Sequence, residues 1–244
     1  MSANLMSLAR SGGKFLKLFG DRKMMKTMPT ARDYVQDGLI AMWDGIENAG
    51  WGTHSTSQLK ELVSGIGITV PSGYTIASNH VEVRATNAMN ITPMALSFTT
   101  AITVEYLVAF IDENTSRECA SETNTANNGF RFKKATKLAT IYRGAGYAYV
   151  LPAVGTVKCY TSTWDDNRNP REIEYADAVE KRRIQHSHTM AGHFGSSYRI
   201  GRANYTSYQD VYAIRIYSRA LTAEEISHNY AIDKARFNLT TPTI

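Results

Sequence analysis

Two glutamates one residue apart, Glu172 and Glu174 in the run "EIEYAD", are the first side chains of this sequence with a spacing that suggests chemistry. A glycosidic bond is cleaved by two carboxyl groups flanking it, one as acid and the other as base or nucleophile. On a strand, alternation places Glu172 and Glu174 on one face and Asp177 on the other, unless a bulge intervenes. The basic run "EKRR" follows at once, a composition that suits a solvated, salt-bridged surface. Catalysis is therefore not expected here.

Two further clusters carry ligand-type residues. "HSHTMAGH" contributes His186, His188 and His193; a His-x-His pair on a strand turns both rings to one face and can fill two corners of a zinc site. The pattern names no further ligand, so rim histidines are the expectation. "TWDDNRNP" sets Asp165, Asp166 and Asn167 between Trp164 and Pro170. Hard oxygen donors beside an aromatic ring suit a calcium-assisted sugar site. The same residues also build a tight turn by bonding to their own backbone, and the turn is the favoured reading. No cofactor is required, and calcium is the one ion this loop admits. Trp51 and Trp164 are the tryptophans expected to be exposed, which makes Trp51, Trp164, Asp165 and Asn167 the glycan-binding candidates. No glycine-rich phosphate loop and no Ser/His/Asp context for a nucleophile is present, so nucleotide hydrolysis and acyl transfer find no support.

These residues must be positioned by strands. "AITVEYLVAFI" alternates Ile102, Val104, Tyr106, Val108 and Phe110 against a mixed second face, the pattern of a central sandwich strand. Short runs rich in β-branched and aromatic residues recur between Gly, Asn and Ser turns, which predicts an all-β sandwich. Val211 to Tyr217 reads as a strand with Tyr212, Ile214 and Ile216 on one face. A capping box, Thr222 with Glu225, and a staple of Leu221 on Ile226 then predict a short helix with a narrow apolar edge at Ile226, Tyr230 and Asp233.

Of the 244 residues, 1 to 32 hold seven basic side chains and one acid, while the chain as a whole carries +5. All of the excess charge is thus in an N-terminal arm. Its apolar residues Phe15, Leu18 and Phe19 fall at helical spacing among Lys14, Lys17, Arg22 and Lys23. A membrane surface, nucleic acid and an acidic protein surface are each compatible with such a segment. Apolar residues at helical spacing would be wasted on nucleic acid, so docking on another protein is the expectation. No apolar run approaches the roughly 20 residues of a membrane span, and no secretion signal is recognisable. Cys119 and Cys159 fit neither a disulfide framework nor a zinc spacing. The expected organisation is an arm over 1–32, a sandwich over 33–237 and a β-prone tail, "NLTTPTI", over 238–244.

The stretches "DGLIAMWDGIENAG", "ITVEYLVAFID" and "YRIGRANYTSYQDVYAIRIYSRALTAEEI" resemble laminin-G-like members of the concanavalin A-like lectin/glucanase superfamily. The resemblance rests on Asp210, Tyr217, Arg219, Ala220, Leu221, Glu224 and Glu225. It implies two antiparallel sheets packed as a jelly roll, with binding by rim loops or a concave face. The opening "RDYVQDGLIAMWDGIENAGWG" is similar to laminin-G-like proteins of gut bacteria and their tailed phages. Glycosidases on this scaffold carry Glu-x-Asp-x-x-Glu, and "EIEYAD" departs from it in the order of its acids. The expectation is thus a protein that is not an enzyme: a virion or extracellular surface component, made in the cytoplasm, docked by its arm onto other subunits of an assembly, with the sandwich free for glycans. A free carbohydrate-binding lectin is the alternative, and a glycoside hydrolase ranks third.

Overall fold

The computed structural model describes residues 28–49, 58–87, 89–92, 95–111, 117–121, 131–135, 138–143, 145–150, 155–187, 189–190, 198–200 and 207–239, with the backbone alone between 117 and 150. After a 3-10 turn, Ala31–Asp33, the chain forms β1 (Leu39–Asp44), the short helix α1 (Gly45–Ala49) and a small hairpin of β2 (Gln58–Lys60) and β3 (Gly67–Thr69). There follow β4 (Tyr74–Ile76), β5 (Val81–Ala85), β6 (Met89–Asn90), β7 (Ala101–Phe110), β8 (Arg117–Ser121), β9 (Arg131–Ala135), β10 (Leu138–Arg143) and β11 (Ala145–Val150). The last elements are β12 (Val157–Asp165), β13 (Glu172–Ala176), β14 (Val179–Ile184), β15 (Tyr198–Ile200), β16 (Ser207–Tyr217) and α2 (Ala223–Arg236).

The strands make two antiparallel sheets in a jelly-roll sandwich, the all-β class that the alternation predicts. The larger runs β14-β13-β12-β7-β16-β5-β4, with β1 also on β16. The smaller runs β11-β10-β9-β8-β15-β6. β16 is long enough to take two partners along one edge: its first half pairs with β5 and its second half with β1. Ile102, Val104, Tyr106, Val108 and Phe110 of β7 point into the core between the sheets, against Trp43, Tyr160, Ile214 and, from the smaller sheet, Met89, Tyr198 and Ile200.

The outer face of the larger sheet is also covered. There α2 packs on Leu107, Cys159 and Ala213 through Phe237, and on Tyr217 and Ile173 through Leu221 and Ile226. The capping box at Thr222 forms as expected, with Glu225 N–H donating to Thr222 Oγ1 and Thr222 N–H to Glu225. The helix carries little apolar surface, and charge fills the gap. Arg215 of β16, buried under α2, donates from Nη1 and Nη2 to the two oxygens of Asp233 at 2.8 and 2.7 Å and from Nε to Glu105 at 2.7 Å. Tyr34 Oη donates to Asp233, and Asn229 donates to Glu105 and Tyr217. Burial works against the guanidinium charge, but Asp233 and Glu105 outweigh it and hold Arg215 protonated. Arg236 likewise reaches the buried carboxylate of Asp44 at 3.0 Å.

One face assignment differs from simple alternation. Alternation puts Tyr212 on one face with Ile214 and Ile216 and Val211 on the other, yet Val211 joins Ile214 and Ile216 in the core and Tyr212 lies on the outer side with Ala213 and Phe237. The register between β16 and β7 shifts between Val211 and Ala213. A bulge admits one extra residue and reverses the faces on its two sides.

Candidate functional site

The sequence-predicted ligand residues with described side chains gather around β12, β13 and the turn joining them. β12 continues through Trp164 to Asp165, because Trp164 pairs with Ile102 of β7 on one side and Glu172 of β13 on the other. Trp164, expected at an exposed rim, is therefore a core residue, 1% exposed. A tryptophan next to a polar turn reads as loop, but here the strand extends past it. Its Nε1 donates to Asp166 Oδ1 at 2.7 Å, and its ring lies 4.7 Å from that of His186.

The turn itself is self-satisfied. Asn167 N–H donates to Asp165 Oδ1 at 2.8 Å, the aspartate-to-backbone bond that the sequence favours. Asp166 accepts from Trp164 and from Met190 N–H, which ties the turn to the segment after β14. Two arginines brace it from beneath. Arg168 Nη2 donates to the carbonyls of Thr163 and Arg171 at 2.8 Å each, and its Nε donates to Pro170 O. Arg171 donates to Asp166 O and His186 O. This leaves Asn167 and Asn169 exposed on a braced loop. Sequence reasoning named the loop but missed Arg168 and Arg171, whose only signal is a strongly basic side chain within a tight turn.

Glu172 and Glu174 share the inner face of β13, as alternation predicts, and Asp177 falls on the following turn. Both glutamates are buried. Glu172 accepts from Ser162 Oγ at 2.9 Å and faces His186 Nε2 at 2.6 Å. Burial pushes the Glu174 carboxyl up to about 8, against the pull of Arg182. Asp177 and Ala178 have φ of 52° and 62°, a two-residue hairpin turn with both residues left-handed; the Asp177 carboxylate pairs with Lys158 and accepts from Cys159 N–H. "EKRR" is the exposed edge strand β14, where Arg183 and Glu180 form a surface ion pair.

Among the described residues, no three His, Cys, Asp or Glu side chains converge as a metal site. Trp51, His188, His193 and the arm residues Lys14, Phe15, Lys17, Leu18, Phe19, Arg22 and Lys23 lie outside the described residues. No helix among the described residues is long and apolar enough to cross a membrane.

No family model and no curated protein matches the chain. Solved structures share its fold. Trypanosoma rangeli sialidase superposes with a TM-score of 0.57 at 14% identity over 83% of this chain and 33% of its own. Its complex with the inhibitor DANA gives 0.58 at 14% identity over the same shares. A tryptophan-to-alanine mutant of HCR/D gives 0.60 at 11% identity, over 82% of this chain and 52% of its own. The chain thus spans about a third of the sialidase and half of HCR/D. At such identities the likeness is one of fold. It corrects one expectation: a chain with this sandwich was read as not an enzyme, yet the structures that share the sandwich include sialidases, so the fold does not exclude catalysis.

Proposed function

We propose that the chain is a glycan-recognition sandwich of the laminin-G-like kind, held by its basic N-terminal arm on a surface assembly such as a phage virion or an extracellular structure. The observation that carries the glycan reading is the braced β12–β13 turn. Exposed Asn167 and Asn169 amides each offer two donors and an acceptor, the complement of paired sugar hydroxyls. The brace by Arg168 and Arg171 lowers the ordering cost of binding. Trp51, chosen from the sequence alone, is the aromatic candidate in this reading. Attachment is assigned to the arm because all of the chain's excess positive charge lies there, beside apolar residues at helical spacing.

The test is retention of the full chain on immobilised glycans beside Asn167→Ala and Trp51→Ala. Retention by one glycan class, weakened at least tenfold in both variants, supports the reading. If the unmodified chain is retained on no glycan, the reading fails.

One observation favours a second reading, glycoside hydrolysis. Glu174 holds its proton to about pH 8 two residues from Glu172 on the same face, and a carboxyl kept protonated near neutral pH is the equipment of an acid catalyst. Release of chromophore from aryl glycosides by the full chain, lost in Glu174→Gln, would support hydrolysis; turnover unchanged in that variant would remove it.

A further inference from the structure

We infer that the glycan this chain takes is an uncharged one, and that three segments read it rather than the β12–β13 turn alone. The inference rests on the glycan reading above and names its ligand class and the further residues that contact it.

The turn has a neighbour on each side. Asp166 N–H donates to Thr100 O at 2.9 Å, which fixes Thr99 and Thr100, the residues that lead into β7, against it. Met190 N–H donates to Asp166 Oδ1 at 2.8 Å and Arg171 Nη1 to His186 O at 2.8 Å, so the segment that leaves β14 is tied to it as well. The three segments make one surface whose shape is set before a ligand arrives, which lowers the ordering cost of binding.

The chemistry of that surface is uniform. Across 99–100, 165–171 and 186–190, the described residues that stand exposed are Thr99, Thr100, Asn167, Asn169, Ser187 and Thr189. Each carries a hydroxyl or an amide, able both to donate and to accept, and none carries a charge. In the last segment the buried residues are His186 and Met190, which leaves the small hydroxyls of Ser187 and Thr189 outward.

The charged groups of these segments are engaged with the protein. Asp165 Oδ1 accepts from Asn167 N–H, and Asp166 Oδ1 from Trp164 Nε1 and Met190 N–H. Arg168 holds the carbonyls of Thr163, Pro170 and Arg171, and Arg171 those of Asp166 and His186. The His186 ring lies against Trp164 with Nε2 at Glu172. Two acids and two bases balance, and none of the four is among the exposed residues.

A sugar bearing a carboxylate would lose water from its charge on this surface and meet amides and hydroxyls, but no fully exposed cation on the described residues of the three segments. The hydroxyls of an uncharged sugar meet groups of their own kind. Selectivity then comes from the unpaired charge of the wrong ligand as much as from the contacts of the right one.

The test runs the full chain over a matched panel of immobilised oligosaccharides, each uncharged member beside a counterpart that bears a terminal sialic or uronic acid. Uncharged members are expected to be retained, and their acidic counterparts to bind at least roughly tenfold more weakly. Ser187→Ala/Thr189→Ala, at two exposed positions, should weaken retention of the uncharged members roughly fivefold with the melting temperature unchanged. Thr99→Lys, which sets a cation on the surface, should raise retention of acidic members relative to uncharged ones. Equal or preferential retention of acidic members by the unmodified chain overturns the inference and leaves the glycan reading standing. Retention indifferent to Ser187→Ala/Thr189→Ala, or an unchanged ratio in Thr99→Lys, overturns the three-segment surface. If no member of either kind is retained, the glycan reading itself fails and this inference falls with it.

Discussion

Arg215 and Asp233 meet in a two-pronged ion pair, Nη1 to Oδ1 at 2.8 Å and Nη2 to Oδ2 at 2.7 Å, with both side chains sealed between α2 and the larger sheet. A buried pair of this kind adds little over an apolar contact of the same shape, but removing one partner strands the other without water. Asp233→Ala is therefore expected to cost about 3–5 kcal/mol, read as a drop in the urea midpoint with unchanged slope. A loss under 1 kcal/mol would mean that Glu105 alone satisfies Arg215.

Glu174 gives the fold a pH dependence of unusual sign for a carboxylate. Its folded-state carboxyl titrates near 8, well above the unfolded value of about 4.3, so between those limits the folded chain holds more protons than the unfolded one. Its contribution to stability then falls as pH rises through that window, by up to roughly 1.4 kcal/mol per pH unit, and levels off above about 8. Glu174→Gln should abolish this slope and gain on the unmodified chain as the pH approaches 8. Parallel pH profiles for the two proteins would refute the assignment.

Trp164 and Asn167, three residues apart, should fail in different ways. Trp164→Ala empties a core site and is expected to cost about 3–5 kcal/mol in stability, lowering the melting temperature by many degrees. Asn167→Ala touches only the exposed loop and should shift stability by less than about 0.5 kcal/mol while weakening glycan retention. Equal thermal behaviour of the two variants would contradict the placement of Trp164.

Cys159 is a buried thiol whose ionisation is suppressed, first by burial and then by the nearby carboxylates of Asp233 and Glu105. The thiolate is the reactive form. In a Cys119→Ser background, a thiol reagent should modify the native chain only at the rate of global unfolding and the denatured chain at once. Rapid labelling of the native chain would show that this end of the sheet opens locally.

The parts of the fold legible in the sequence were those set by local chemistry. Alternation in "AITVEYLVAFI" gives β7 and its core face, and Thr222 with Glu225 gives the start of α2. Glu172 and Glu174 were placed on one face by the same rule. Alternation names a face but not a partner, which is why the docking of α2 stayed hidden. Asp233 was grouped with Ile226 and Tyr230 on an apolar edge, and only the fold reveals that its carboxylate meets Arg215, 18 residues earlier, beside Glu105, a further 110 back. Tyr212 was misplaced because a single-residue bulge leaves no mark in composition. Trp164 was misplaced because its burial depends on Ile102 of a different hairpin.

The position of β16 has a consequence for synthesis. This strand is the hub of the larger sheet, touching β7, β5 and β1, yet it is not complete until residue 217 has been made. Until then β7, β5 and β1 must wait on the ribosome with the edges that β16 will fill unpaired, and contacts so distant along the chain form slowly. The growing polypeptide therefore exposes one edge each of β7 and β5 until β16 emerges, and its yield in a cell should depend on chaperones that shield nascent strands more than on the stability of the finished sandwich.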